Sequence, residues 1–151
     1  MGISFAEPER LTLIFDAENR EAWQHTSHVL ECLTLNSEMT VADIGAGTGY
    51  FSYIFAGMVK KVHAIDCEPN MVSYMQNRFA GSGISNIDVI QSTSSNPYIP
   101  EGVDLVFVAN TYRFIQERPT FLRNLRAQVT SKTKLFFVDF KGENDRVSPQ
   151  I

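Results

Sequence analysis

Three glycines alternate with other small residues after the first apolar run of the chain, in the segment Asp43-Ile-Gly-Ala-Gly-Thr-Gly49. Glycines at this spacing permit a tight turn and a close approach of the backbone to a ligand, and exposed amides at the following helix favour an anionic group. Asp66 closes a second apolar run 17 residues beyond Gly49. A carboxylate at that place can accept hydrogen bonds from both hydroxyls of a ribose, so the pattern predicts a nucleoside-containing ligand.

Two common nucleotide-binding loops do not fit this segment. A P-loop ends in Gly-Lys-Ser/Thr, which is absent here. A dinucleotide loop, Gly-x-Gly-x-x-Gly, needs a third glycine where this chain has Tyr50. Asp43 would also repel a pyrophosphate, which leaves a nicotinamide-dependent oxidoreductase as a weaker alternative. A ligand with a ribose, no phosphate and a cationic amino-acid end is compatible with the carboxylate, and S-adenosylmethionine (SAM) has these properties.

The elements that must position these residues alternate along the chain. Strand-like apolar runs cover residues 41–44, 62–66, 87–90, 103–109 and 135–138. Helical stripes lie between them: Phe51, Ile54, Phe55 and Met58; Val72, Met75 and Phe79; Leu122, Leu125 and Val129. This alternation predicts an α/β fold, doubly wound and Rossmann-like, with a mainly parallel sheet of about five strands. Ligands of such sheets bind at the carboxyl ends of the strands, where the glycine loop and Asp66 fall.

The sequence predicts one domain over residues 1–151, because no linker or repeat divides it. We expect residues 1–35 to form an N-terminal helical segment, with one or two helices around Glu7–Phe15 and Ala17–Leu33. Residues 40–140 form the α/β core.

The composition and net charge of the chain limit the kinds of molecule that it is expected to bind. The 151 residues include 13 Lys and Arg against 17 Asp and Glu, a net charge of -4, so no nucleic acid is expected to bind through bulk charge. Two cysteines are too few for a disulfide framework and favour a cytoplasmic protein. No apolar run approaches the roughly 18 residues of a membrane span, so no membrane is expected as a partner. His25 and His28 share a predicted helix without a third ligand, and no metal site is expected.

Residues 41–51 resemble the first motif of class I SAM-dependent methyltransferases, Asp/Glu-x-Gly-x-Gly-x-Gly. The similarity continues at residues 64–66, 97–106 and 135–139, and its general style is that of small methyltransferases of the ubiquinone and menaquinone biosynthesis type. The resemblance implies SAM as the cofactor, S-adenosylhomocysteine as the product, and a small molecule as the methyl acceptor. The acceptor and its attacking atom stay open.

The resemblance also implies roles for individual residues. The loop would line the methionine and ribose portions of SAM through Gly45, Ala46, Gly47 and Gly49. Asp43 would face the amino end of the cofactor, and Asp66 would bind the ribose hydroxyls. The remaining cofactor contacts are expected from Tyr50, Cys67, Met71, Ser92, Thr93 and Asn110. Cys67 and Met71 would lie near the adenine, whereas Ser92 and Thr93 replace the Asp that the family often has there.

No catalytic residue is assigned, because the sulfonium of SAM already activates the methyl group and the protein mainly aligns the reactants. Tyr112 is a candidate for acid or base work, with packing in the pocket an equal alternative.

The rival hypothesis is a SAM-binding protein without catalysis, or a truncated one. Class I methyltransferases usually add an antiparallel hairpin after the fifth strand, whereas only 11 residues follow Phe140. We therefore expect an exposed fifth strand, open to a homodimer through the sheet edge unless the N-terminal helices cover it.

Overall fold

The structure of the protein is a computed structural model that describes residues 6–141. The helices of this part are α1 (Pro8–Phe15), α2 (Arg20–Gln24), α3 (Thr26–Leu33), α4 (Tyr50–Ala56), α5 (Pro69–Ala80) and α6 (Arg118–Gln128). The strands are β1 (Thr40–Ile44), β2 (Lys61–Asp66), β3 (Ile87–Gln91), β4 (Leu105–Ala109) and β5 (Lys134–Val138), and a 3₁₀ turn spans Tyr112–Phe114.

The five strands form one sheet in the order β3-β2-β1-β4-β5, and every pair is parallel. This confirms the predicted α/β class and the five-stranded parallel sheet. At the last residue of β1, Ile44 lies opposite Ile65 of β2 on one side and Val108 of β4 on the other. The chain leaves β1 towards β2 and later returns to β4 on the opposite flank, so the topological switch point lies at the carboxyl end of β1.

The central strands are buried on both faces, which explains their nearly continuous apolar sequences. One face packs Val41 and Phe107 against Phe51 and Phe55 of α4, with α3 joining the same cluster. The other face contains the β4 residues Val106 and Val108, the α6 residues Phe121 and Leu125, and residues of β1 and β2. The sheet is thus covered on both sides, and its carboxyl edge is left to other elements.

Two of the predicted helical stripes are partly wrong. Met58 is exposed because α4 ends at Ala56, and Val59 is buried in its place. Leu122 is exposed because Phe121 and Leu125, four residues apart, form the buried face of α6. A neighbouring position on a helix is rotated by about 100° away from that face.

The N-terminal segment has three helices in its described part, whereas one or two were predicted. His25 has a φ of 51°, in the left-handed region, and separates α2 from α3. His25 and His28 therefore do not share one helix. Residues 6–141 contain no cluster of three His, Cys, Asp or Glu side chains that could hold a metal ion.

The strand β5 lies at one edge of the sheet and pairs with β4. Its side chains alternate: Phe136 stacks on Phe107 with ring centroids 6.2 Å apart, whereas Leu135 and Phe137 are 48% and 42% exposed. Within residues 6–141, no strand lies beyond β5 and no helix is long and apolar enough to cross a membrane.

Candidate functional site

The glycine loop turns sharply at the carboxyl end of β1. Gly45, Gly47 and Gly49 all have positive φ, at 71°, 60° and 82°. The backbone amides of Gly45 and Ala46 both donate to the carbonyl oxygen of Ile65, at 2.8 and 3.0 Å. The loop is therefore fixed to the end of β2, beside Asp66.

The three glycines of the loop meet different surroundings. A Cβ atom at Gly45 would lie 2.2 Å from Thr111 Oγ1, and one at Gly49 would lie 2.5 Å from Phe79 Cζ. Packing alone therefore requires glycine at these two positions. A Cβ at Gly47 would contact only Phe15, at 3.8 Å, so the positive φ favours glycine there and packing does not require it.

Asp66 ties the glycine loop to the start of the following segment. Its Oδ2 accepts from the amide of Gly47 at 2.8 Å, and its Oδ1 accepts from the amide of Glu68 at 2.9 Å. Burial raises the pKa of this carboxyl, while the two amides act in the opposite direction. Asp66 is 8% exposed and is one of the residues that line a pocket.

Asp43 occupies a different environment from Asp66. It is 3% exposed, beneath the loop, and its Oδ2 accepts a hydrogen bond of 2.7 Å from Ser52 Oγ. Burial raises its pKa to about 6; the Ser52 hydrogen bond opposes this shift, and the charge of Asp66 adds to it. In the part of the chain that the structure describes, Asp43 is not one of the residues that line the pocket.

The pocket lies at the carboxyl edge of the sheet and has a volume of about 230 Å³. It brings together seven of the predicted cofactor residues: Gly45, Ala46, Gly47, Asp66, Cys67, Met71 and Asn110. Six of them fall into two groups, the loop after β1 and the segment after β2. Asn110 follows β4, on the other flank of β1.

The other predicted cofactor residues are not among those that line the pocket. Tyr50 lies behind the loop, where its hydroxyl and Thr26 Oγ1 are 2.9 Å apart. Ser92 is buried and its amide donates to the carbonyl of Asp66 at 2.9 Å. Thr93 forms a turn with Asn96 through two hydrogen bonds.

Sequence reasoning missed part of the pocket lining. The additional residues are Phe15, Arg20, Thr48, Glu68, Ala109, Thr111 and Phe114. Four of these are adjacent in sequence to predicted residues: Thr48, Glu68, Ala109 and Thr111. Phe15 and Arg20 come from the N-terminal helices, and the aromatic residues of that segment were the only signal that could have indicated them.

A hydrogen-bonded latch holds the N-terminal helices against the loop. Arg78 of α5 donates to Asp16 Oδ2 at 2.7 Å and to the carbonyl of Thr48 at 2.9 Å. Thr48 Oγ1 in turn donates to Asp16 Oδ1 at 3.4 Å. The segment after α1 is therefore joined to both α5 and the glycine loop.

A second link joins α2 to β4. Asn110 has a φ of 56° at the end of β4, and its Nδ2 donates to Gln24 Oε1 at 2.6 Å. The amide of Asn110 donates to the carbonyl of Val138 at 2.8 Å. The N-terminal helices therefore contribute to one wall of the pocket.

Tyr112 lies outside the pocket lining. Its ring meets Phe137 edge to face at a centroid distance of 5.5 Å, and the guanidinium of Arg118 lies 5.2 Å from its ring centroid. These contacts give it a packing role, and its part in acid or base chemistry stays a prediction.

Comparisons with known proteins agree with this geometry. Residues 41–132 match the model of a protein family described as a methyltransferase domain. A crystal structure of a SAM-dependent methyltransferase from Aquifex aeolicus superposes with a TM-score of 0.82 and is 27% identical, covering 96% of this chain and 78% of that one.

Two curated relatives match over shorter segments. An uncharacterized protein of Methanocaldococcus jannaschii is 31% identical over 48% of this chain and 28% of its own length. A protein-L-isoaspartate O-methyltransferase of Herpetosiphon aurantiacus is 35% identical over 44% of this chain and 30% of its own length. The matches thus span less than a third of either relative.

The family model covers most of the α/β core, and the chain belongs to the methyltransferase domain family, with the fold of the class I SAM-dependent enzymes.

Proposed function

We propose that this protein transfers the methyl group of SAM to a small-molecule acceptor. The observation that carries the proposal is the meeting of the glycine loop with Asp66 in one pocket at the topological switch point. Gly47 lies open to the pocket, and Asp66, which also lines the pocket, accepts a hydrogen bond from the loop amide of this glycine. This is the position in the fold where a nucleoside is bound.

The residues present fit SAM along the length of the pocket. Asp66 would accept hydrogen bonds from the ribose hydroxyls. Cys67 and the buried Met71 offer soft, apolar atoms to the adenine. The loop from Gly45 to Thr48 and Asn110 would hold the methionine portion on the β4 side. SAM supplies an activated methyl group through its sulfonium.

The chain's own contribution to the reaction is alignment and exclusion of water. Phe15 and Phe114 line the pocket beside Thr111 and bring apolar surface to its wall. Apolar walls around a reacting methyl group limit competing hydrolysis and hold the acceptor at reacting distance. Proton removal by a protein group is not required by this arrangement, and an acceptor with a free lone pair suits it.

Binding by Asp66 gives a direct test. We expect SAM and S-adenosylhomocysteine to bind in isothermal titration calorimetry, and Asp66→Asn to weaken S-adenosylhomocysteine about 10-fold or more, because charged acceptors contribute more than neutral ones. Asp88→Asn is the matched control, since Asp88 lies on β3 and bonds Lys61 at 2.7 Å. Equal affinity of the Asp66 variant and the unaltered protein would contradict the assigned pocket.

Turnover distinguishes an enzyme from a binding protein. The purified chain, supplied with SAM and a panel of small nucleophiles, should release S-adenosylhomocysteine with at least one acceptor, measured by mass spectrometry. Binding without release across the panel would favour the non-catalytic alternative. Tighter binding of NADH than of SAM would instead favour the oxidoreductase.

A further inference from the structure

Arg20 is a buried cation in the wall of the pocket. It begins α2, is 7% exposed and lines the cavity beside the glycine loop. Aromatic rings enclose its guanidinium, whose Cζ lies 3.7 Å from the ring centroid of Tyr50, 5.3 Å from Trp23 and 5.4 Å from Phe51. Aromatic faces attract a cation but do not supply hydrogen-bond acceptors in its plane.

The hydrogen-bonding capacity of Arg20 is largely unused. One terminal nitrogen donates to the carbonyl of Phe15, and the buried Nε has no partner among residues 6–141. Within the same part of the chain, no carboxylate lies within 4.0 Å of the guanidinium; Asp16, which is nearby in sequence, is bonded to Arg78. Buried charges are normally paired, so a cation left with free donors at a pocket wall indicates an anionic ligand.

The position of Arg20 indicates which end of a ligand it would meet. On the next turn of α2, Gln24 bonds Asn110 at the end of β4. Arg20 itself lies over Tyr50, the first residue after the glycine loop. Asp66 and Cys67 follow β2, on the opposite flank of β1. The helix that carries the cation is therefore bound to the β4 side of the pocket, whereas the proposed ribose and adenine contacts lie on its β2 side.

We propose that Arg20 binds the α-carboxylate at the amino-acid end of the cofactor, an inference that rests on the proposed function. The planar guanidinium presents several N–H donors in a fixed geometry that matches a carboxylate. The enclosing rings hold this fork in place, so little side-chain entropy is lost when the carboxylate arrives. Although burial lowers the pKa of Arg20 to about 10, the side chain stays protonated at neutral pH.

The unaltered protein provides the first test. We expect S-adenosylmethionine to bind about 10-fold or more tightly than its decarboxylated analogue, which keeps the sulfonium, the amine and the adenosine. Equal affinities would overturn the proposal and would leave a carboxylate of the acceptor as the partner of Arg20. If neither compound bound, the proposed function itself would fail.

Variants of Arg20 provide the second test. Arg20→Gln should weaken S-adenosylhomocysteine about 10-fold or more and leave 5′-methylthioadenosine, which lacks the amino-acid end, within about twofold. Arg123→Gln is the control, because Arg123 lies on the exposed side of α6 and bonds Thr120. A parallel loss for both ligands would show that Arg20 only supports the fold, and would overturn its assignment to the carboxylate. If Arg20→Gln fails to fold, the comparison of the two SAM compounds on the unaltered protein decides.

Discussion

Two aspartates lie at or next to the ends of neighbouring strands of the same sheet and have different roles. Asp66 lines the pocket and accepts hydrogen bonds from two backbone amides, so its carboxylate is held in a fixed orientation. Asp43 lies under the glycine loop and accepts from Ser52, away from the pocket lining. Because both residues are aspartates, the sequence alone could not predict which of them lines the pocket. That depends on how the glycine loop folds over the end of β1.

Asp43 predicts a specific dependence of stability on pH. Its pKa in the folded protein is about 6, above its usual value of 3.8, so the folded state binds this proton more tightly than the unfolded state. The stabilisation is present below about pH 4 and is lost as the pH rises through 6. The variant Asp43→Asn keeps an acceptor for Ser52. The difference in unfolding free energy between this variant and the unaltered protein should change by about 2 kcal/mol between pH 4 and 8.

Urea denaturation at several pH values measures this difference. The unaltered protein should lose stability relative to Asp43→Asn as the pH rises. Glu101→Gln, at an exposed turn, serves as the control and should show no such trend. A difference that stays constant over the range would mean that Asp43 is not destabilised by its burial.

At the level of single residues, the sequence predicted those site positions that lie next to a recognisable turn. Gly45 and Gly47 lie within three residues of the end of β1, and Asp66 is the last residue of β2, so their placement at the carboxyl edge follows from the fold class. Arg20 was not predicted, because its role comes from rings 3 to 31 residues away in the chain and from an unfilled hydrogen-bonding capacity that only the folded structure reveals.

Strands and helices were predicted well where burial determines the pattern of apolar residues. The five strands read as apolar runs because helices cover the central ones on both faces. The ends of the helices were less predictable, because the backbone conformation of a single residue can end a helix. His25 in the left-handed region divides a continuous apolar pattern into α2 and α3, and no sequence signal marks it.

The latch between Asp16 and Arg78 is an element-scale feature that can be measured. The two side chains are 17% and 27% exposed, and they join the end of α1 to α5. A double-mutant cycle with Asp16→Asn and Arg78→Gln should give a coupling of about 1 kcal/mol in thermal or urea unfolding, at the upper end for ion pairs near a surface. The pair Glu7 and Arg10, at 3.5 Å, is the control: both side chains are more than half exposed, and its coupling should be near zero. Equal couplings would show that the latch is no more than a surface ion pair.

At the scale of the whole molecule, the sheet has a protected centre and an open edge. The amides of β4 lie between two strands, whereas β5 pairs on one side only and exposes Leu135 and Phe137. In hydrogen-exchange mass spectrometry, residues 134–138 should exchange at least about 10-fold faster than residues 105–109.

The same experiment bears on the proposed homodimer. Association through the β5 edge would slow exchange at residues 134–138 as the protein concentration rises, and light scattering would report the doubled mass. Exchange as slow as that of β4 at every concentration would contradict an open edge.

The hydrogen bond between Gln24 and Asn110 spans 86 residues of chain. Synthesis on the ribosome proceeds from the N-terminus, so α2 emerges long before the strand that completes its wall of the pocket. A nascent chain shorter than about 110 residues therefore cannot use the cofactor to stabilise its folding. This wall of the pocket can be completed only after β4 has emerged, and the N-terminal helices must remain able to join it until then.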